Sequence, residues 1–158
     1  MNWITHALLT AVCLTAYAGK GMATEDNLWK GIQAIHVSCV HESIRIAVEA
    51  ELRRFRIPVV STESEMTGKI WADLRVYVGE RPLTTKNGIP AGTVYLAHAG
   101  VFFFATTPQG GRGVATIYTN ATYGFLGPAD TSSAVAEGRQ QAIEWVTEIA
   151  NSYLKDNP

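Results

Sequence analysis

Cysteine is scarce in this sequence: only Cys13 and Cys39 occur in 158 residues. No Cys-x-x-Cys or His-Glu-x-x-His spacing is present, so no zinc motif can be read. A basic block is also absent. Thirteen Lys and Arg stand against 14 Asp and Glu, for a formal charge of -1 at pH 7, and nothing in their distribution could track a phosphate backbone. Nucleic-acid binding is set aside on that ground. The 14 glycines and 6 prolines follow no period, which excludes a collagen-like chain or a tandem repeat. What is there is a chain of one domain's length, 47% hydrophobic and 17% charged. It is long enough to bury a core and too apolar to be disordered.

The first residues read as a secretory leader. From Ala7 to Ala18 the chain is apolar and uncharged, with small residues and then the acidic pair Glu25 and Asp26 behind it. The small-x-small rule fits cleavage after Ala18 or after Ala23, and the reading adopted is a leader over 1–23 and one domain over 24–158. Met1–His6 carries no Lys or Arg, so the α-amino group alone supplies the leading positive charge. A membrane anchor is the alternative, but a span needs roughly 20 apolar residues and Lys20 interrupts this run. Val12 stands before Cys13 where a lipid-attachment motif has a small residue. The expectation is therefore a soluble exported protein, periplasmic or secreted, with no transmembrane segment after leader removal. Its single cysteine, Cys39, leaves no intramolecular disulfide.

Periodicity predicts the order β-α-β-β-β-β-α. The β-branched residues between Leu28 and Val40 suggest a first strand. A helix opened by His41 or Ser43 follows, with Ile44, Val48, Leu52 and Phe55 on its core face and Arg45, Glu49 and Arg53 on a solvated one. Pro58 stops it, and Ile57–Val60 reads as a short second strand. Lys69–Val78 alternates cleanly, setting Ile70, Ala72, Leu74, Val76 and Val78 against Trp71, Asp73, Arg75 and Tyr77. Asn87-Gly88 supplies turn chemistry before a strand over Thr93–Phe104. Pro108–Gly113 reverses the chain into Val114–Tyr123. Asp130 or Thr131 then opens a terminal helix carrying Val135, Ala142, Val146, Ile149 and Tyr153 at helical spacing.

The fold class is α+β: one sheet of four to five mostly antiparallel strands with two helices on one face. Two helices cannot cover both faces. The other face would show Trp71 and Tyr77, with Tyr95 and Phe103 beside them if the register allows, an aromatic patch that asks for a partner or a cover.

The stretch Glu51-Leu52-Arg53-Arg54-Phe55-Arg56-Ile57-Pro58-Val59-Val60 resembles a helix-to-strand motif of short exported bacterial proteins of unassigned function, with Phe55-Arg56 standing where that family has Ala-Gly. The family's Ala-x-Thr-Trp strand and Gly-x-x-Gly pair have counterparts in Ala115–Tyr118 and in Gly124 with Gly127. Its terminal helix is matched by Tyr153-Leu154-Lys155-Asp156-Asn157-Pro158. The resemblance implies an envelope protein and brings no active site, metal or cofactor.

Candidate chemistry is thin. Cys39 and His41 meet a strand end and a helix N-terminus, where a thiol can be activated and an imidazole can act as base. Gly110-Gly111-Arg112-Gly113 reads as a hairpin turn rather than a phosphate loop, because phosphate loops open helices. Asp73 and Arg75 read as a surface ion pair, and the Asn120-Ala121-Thr122 sequon as incidental. The leading function is a non-enzymatic binding or assembly module, its partner an envelope protein or a second copy, acting through an aromatic sheet face (Trp71, Tyr77, Tyr95, Phe103) or an edge strand. The alternatives are a small enzyme or redox-sensitive protein using Cys39 and His41, or a binder of apolar small molecules in a cavity between helices and sheet.

Overall fold

A computed structural model describes residues 28–106 and 112–158. The expected leader, with Cys13 and both expected cleavage points, lies outside the described residues, as does Pro108–Gly111 of the expected reversal. The elements in chain order are β1 (Ala34–Cys39), α1 (Glu42–Arg54), β2 (Val59–Val60), α2 (Glu63–Met66), β3 (Trp71–Thr84), β4 (Pro90–Thr106), β5 (Arg112–Leu126) and α3 (Ala134–Asp156). The fold is α+β, with a single open sheet in the order β2-β1-β3-β4-β5. β1 lies parallel to both β2 and β3, while β3, β4 and β5 form an antiparallel meander. Parallel neighbours need a crossover, and α1 supplies one between β1 and β2.

Helices α1 and α3 pack on the same side of the sheet and on each other. Beneath them lie Ile35 and Val37 of β1, Ala72, Leu74, Val76 and Val78 of β3, and Ala97, Ala99 and Val101 of β4. Alternation is what puts them there, since side chains two apart along a strand share a face. Helical spacing supplies the facing layer of Ile44, Val48 and Leu52 from α1 and Ala142, Val146 and Ile149 from α3. Gly138 lets α3 approach closely, for a Cβ there would run into the methyls of Val78.

Some expectations shift. Ile70 is not a core residue but 54% exposed, because pairing with β1 begins at Trp71 and the first inward position is Ala72. β1 begins later than Leu28, after a turn over 28–31, and a short α2 not read from the sequence occupies the return to β3. Helix α3 opens at Ser133, whose Oγ accepts the Ala136 N–H at 3.2 Å, rather than at Asp130 or Thr131. Asp130 is spent on a turn, accepting the Gly127 N–H. Glu49 is also not on a solvated face. It is 7% exposed and held by both Arg45 and Arg53, whose Nη2 donates at 2.9 Å.

The C-terminal residues close the domain on its first turn. Trp29 is buried, with its ring edge-on to Tyr153 at 5.8 Å. Its indole N–H donates to Ser152 Oγ at 2.9 Å, and its backbone N–H to Asp156 Oδ2 at 3.1 Å. Asn157 Nδ2 donates to the Trp29 carbonyl at 2.9 Å, and Tyr153 O–H to the Ile32 carbonyl at 2.9 Å. Thus the Tyr153-Leu154-Lys155-Asp156-Asn157 stretch satisfies the backbone of a buried turn that no strand partner could satisfy.

The end of α1 carries the backbone's one left-handed non-glycine among the described residues, Arg56 at φ 60°. The Arg56 N–H donates to the Arg53 carbonyl and the Ile57 N–H to the Leu52 carbonyl, at 2.9 and 3.0 Å. This is the Schellman ending, whose left-handed residue is ordinarily glycine. Arg56→Gly is expected to raise stability by about 0.5–1 kcal/mol, the relief of Cβ strain less the added freedom of the unfolded chain. Urea denaturation followed by circular dichroism checks it, and a loss of stability would mean that the arginine side chain outweighs the strain.

Candidate functional site

The side of the sheet away from α1 and α3 carries no helix among the described residues. Register fixes what it displays. Across it run His36, Asp73 and Phe102, then Ser38, Arg75 and Gly100, then Tyr77 and His98, then Leu96 and Tyr123, and last Val94 and Phe125. Tyr77 is 53% exposed, Tyr123 64% and Phe125 57%. Three of the rings lie over glycines. A Cβ at Gly79 would meet the Tyr77 hydroxyl at 2.5 Å, one at Gly100 the Phe102 ring at 2.8 Å, and one at Gly92 the Phe125 ring at 2.5 Å. Glycine here is needed for close approach, and it spreads the aromatics along the sheet.

Of the four aromatics expected together, Trp71 and Tyr77 share this open face. Tyr95 and Phe103 do not. Tyr95 pairs with Glu80 and Phe103 with Ala72, both on the helix side, where Phe103 packs on the core and Tyr95 covers Gly124. Their places on the open face are taken by Phe102 and by Tyr123 and Phe125 of β5, which sequence reasoning missed. Phe102-Phe103 is a pair of adjacent aromatics, so alternation shows that one of them faces out, and only the register with β3 decides which.

At the centre is a polar group of four side chains. Asp73 is 6% exposed although it is on the open face. Its Oδ1 accepts from Ser38 Oγ at 2.8 Å and faces His36 Nδ1 at 3.1 Å, and its Oδ2 accepts from Arg75 Nε at 2.7 Å. Burial by itself would raise this carboxyl. The hydrogen bonds from Arg75, Ser38 and His36 outweigh it and hold the group below the ordinary aspartate value. The Asp73–Arg75 pair expected at the surface is therefore half of a buried-carboxylate network. Arg75 also places its guanidinium 5.2 Å from the centre of the Phe102 ring, and the Trp71 ring stands edge-on to His36 at 5.9 Å.

This constellation contains serine, histidine and aspartate but is not wired for nucleophilic attack. The Ser38 hydroxyl donates to the carboxylate at 2.8 Å and lies 3.3 Å from His36 Nδ1, the same nitrogen that faces Asp73, whereas an activated serine and its aspartate sit on opposite nitrogens of the imidazole. The network instead fixes orientation and charge. Asp73 is the only carboxylate that the described strands aim at this face, set against Arg75 and Arg81. His98 lies on it too, with Nε2 3.2 Å from Thr119 Oγ1, and burial lowers its pKa.

Cys39 and His41 are elsewhere, at the end of β1 on the helix side. The thiol is half-buried, and desolvation raises its pKa against the lowering effects of the His41 backbone N–H and of Arg45. His41 Nε2 lies 3.1 Å from the Val78 carbonyl, which ties the ring to β3. The two side chains thus form no thiol–imidazole couple of the kind that activates a nucleophile. No group of three His, Cys, Asp or Glu side chains among the described residues converges to hold a metal ion. A cleft of about 450 Å³ opens where β3 and β4 run past the start of α3, between Glu80, Pro82, Thr93, Leu126, Asp130 and Ser133.

No family model and no curated protein matches the chain. Among solved structures it is similar to a minor lipoprotein from Acinetobacter baumannii, at TM-score 0.42 and 9% identity over 79% of this chain and 94% of that one. It is also similar to rare lipoprotein B from Shewanella oneidensis (0.35, 14%, 77% and 91%) and to an uncharacterized lipoprotein B from Nitrosomonas europaea (0.37, 12%, 87% and 89%). All three are bacterial lipoproteins by name.

Proposed function

We propose that this protein is an exported, non-enzymatic binding module whose open sheet face docks another envelope protein. The observation that carries the reading is the composition of that face: Tyr77, Tyr123 and Phe125 are each more than half exposed on it, and Tyr77 stands two residues along β3 from Arg75, whose guanidinium is already oriented by a buried carboxylate. Hot spots at protein interfaces are enriched in aromatic and arginine side chains: the aromatics bury large area with little loss of side-chain freedom, and arginine adds a planar set of donors. Arg75 adds direction: its Nε is committed to Asp73, so the outer edge of the guanidinium is left for an acidic or carbonyl group on the partner.

Export rests on the apolar leader-like run from Ala7 to Ala18. Without that leader the domain would act in the periplasm or outside the cell, free of a membrane span of its own. No helix of the described residues is long and apolar enough to cross a membrane.

The test is capture of partners from the native envelope in mild detergent, using the tagged protein and a Trp71→Ser/Tyr77→Ser variant. Tyr77 is exposed and Trp71 lies at the sheet's open side, so both serines are expected to leave the far-ultraviolet circular dichroism unchanged. A partner recovered with the wild-type protein should fall at least tenfold with the variant, the loss of two aromatic anchors. Equal recovery would remove the face from consideration.

A further inference from the structure

The two edges of the sheet are built differently. β2 is an edge of two residues preceded by Pro58, a length and a neighbour that prevent strand addition. β5 is an edge of 15 residues. It has one bulge, where Val101 pairs with Tyr118 and Phe102 with Thr116 so that Ile117 has no partner. Beyond the bulge, Tyr118–Leu126 contains no charged residue and no proline. Natural edges carry lysine, proline or bulges to stop pairing with other strands, and this stretch has none of them.

We propose that Tyr118–Leu126 is a self-association edge, at which a second copy of this chain adds its own β5 antiparallel about a two-fold axis at Thr122. The inference does not rest on the open face binding a partner. It follows first from which way the backbone points. The Ala121 N–H is turned away from β4, because it donates to its own Asn120 Oδ1 at 2.9 Å. Alternation then turns Thr119, Tyr123 and Phe125 outward as well. Outward residues must meet outward residues. Pairing about Thr122 satisfies this along the whole stretch, setting Ala121 against Tyr123, Thr119 against Phe125, Asn120 against Gly124 and Tyr118 against Leu126.

Each of the first three pairs puts a large side chain beside a small one, so the exposed Tyr123 and Phe125 each gain a place to lie. No like charges face each other. The Ala121 N–H exchanges a local side-chain acceptor for the Tyr123 carbonyl of the second copy. The helices allow it too, since α3 lies chiefly over β4 and less over β5. In the joined sheet the two β4 strands would stand about 14 Å apart, more than the 8–10 Å at which helices meet. A paired strip about 30 Å long buries on the order of 500–600 Å² per copy, the lower end of the range for stable dimers, so a dimer of micromolar affinity is expected.

Sedimentation velocity of the purified exported protein over a hundredfold concentration range tests this. Monomer at low concentration should give way to dimer, and Ala121→Lys should raise the dissociation constant at least tenfold while leaving the circular dichroism and thermal midpoint near wild type. Ala121→Pro should do the same, because the N–H it removes serves no ladder bond. The register has its own test in a Cys39→Ser background. Thr122→Cys would meet its counterpart at a non-hydrogen-bonded pair, about 4.5 Å between Cα atoms, and should give a disulfide-linked dimer on mild oxidation, whereas Asn120→Cys should not. A monomer at every concentration overturns the proposal, as does a dimer unmoved by either Ala121 variant. The Trp71→Ser/Tyr77→Ser protein should dimerise normally, so failure here and failure of partner capture are separate results.

Discussion

Trp29→Ala is expected to destabilise the domain by about 3–5 kcal/mol, the usual cost of truncating a buried aromatic. Trp29 is 2% exposed, belongs to the main core and is among the largest of its fully buried side chains. Truncation would leave a void beside Tyr153 and lose the bond to Ser152, whose exposed hydroxyl would turn to water. The bonds made by its backbone to Asp156 and Asn157 would survive in principle, but the ring is what holds that turn against α3. Trp29→Phe separates the two effects: it keeps most of the volume, loses the indole bond to Ser152 Oγ, and should cost only about 1–2 kcal/mol. Urea midpoints with an unchanged slope would check both values. A domain of this size has roughly 5–15 kcal/mol to lose, so the alanine variant should be partly unfolded on mild warming. A Trp29→Ala midpoint within about 1 kcal/mol of wild type would show that the clasp lies outside the cooperative unit.

Element type was legible where one face is buried and the other is not. In β3 the alternation of Ala72, Leu74, Val76 and Val78 with Asp73, Arg75 and Tyr77 is the pleat itself, and the structure keeps it. In α1 the spacing of Ile44, Val48 and Leu52 did the same. Ile70 misled because it continues the alternation by one step past the last pairing partner, and no local signal marks where a neighbouring strand begins. Strand order was not legible, since the pairing of β1 with β3 joins residues about 37 apart and depends on where two crossovers land. The C-terminal stretch looked like a motif of unassigned purpose. Its work becomes visible only once Trp29 is brought to it from the other end of the chain.

The open face was legible as a place and not as a list of residues. Two helices cannot cover two faces, which located it, and Trp71 and Tyr77 followed from alternation. Phe102 for Phe103 is a one-residue difference of the kind that flips a side chain across the sheet. Tyr123 and Phe125 had a weak signal, Tyr123-Gly124-Phe125, in which a glycine between two aromatics spaces them on one face. From the sequence Asp73 reads as a surface partner of Arg75, because both lie on one strand face. What buried it came from β1, in His36 and Ser38, through a parallel pairing the sequence does not announce.

Asp73→Ala is expected to cost about 2–3 kcal/mol. Removing one partner of a buried ion pair can cost about 3–5 kcal/mol, but the Arg75 side chain is 56% exposed and would turn to water instead of staying uncompensated. What remains is the loss to Ser38 and His36 of the acceptor they share. Asp73→Asn keeps an acceptor oxygen and should cost less, about 1 kcal/mol. The acid limb of stability identifies the carboxylate. Its pKa is lower in the fold than in the unfolded chain, where it lies near the ordinary value of about 3.9. The unfolded chain therefore takes up the proton first as pH falls, so this stabilisation is fully present above that value and drains away as pH drops through the lower, folded one. The gap in stability between wild type and Asp73→Asn should then be constant from neutral pH down to about 5 and narrow below about 4. A gap unchanged through the acid limb would mean that the carboxylate's charge does not stabilise the fold. Loss of partner capture in Asp73→Asn, with the fold intact, would show that the network's purpose is to aim Arg75.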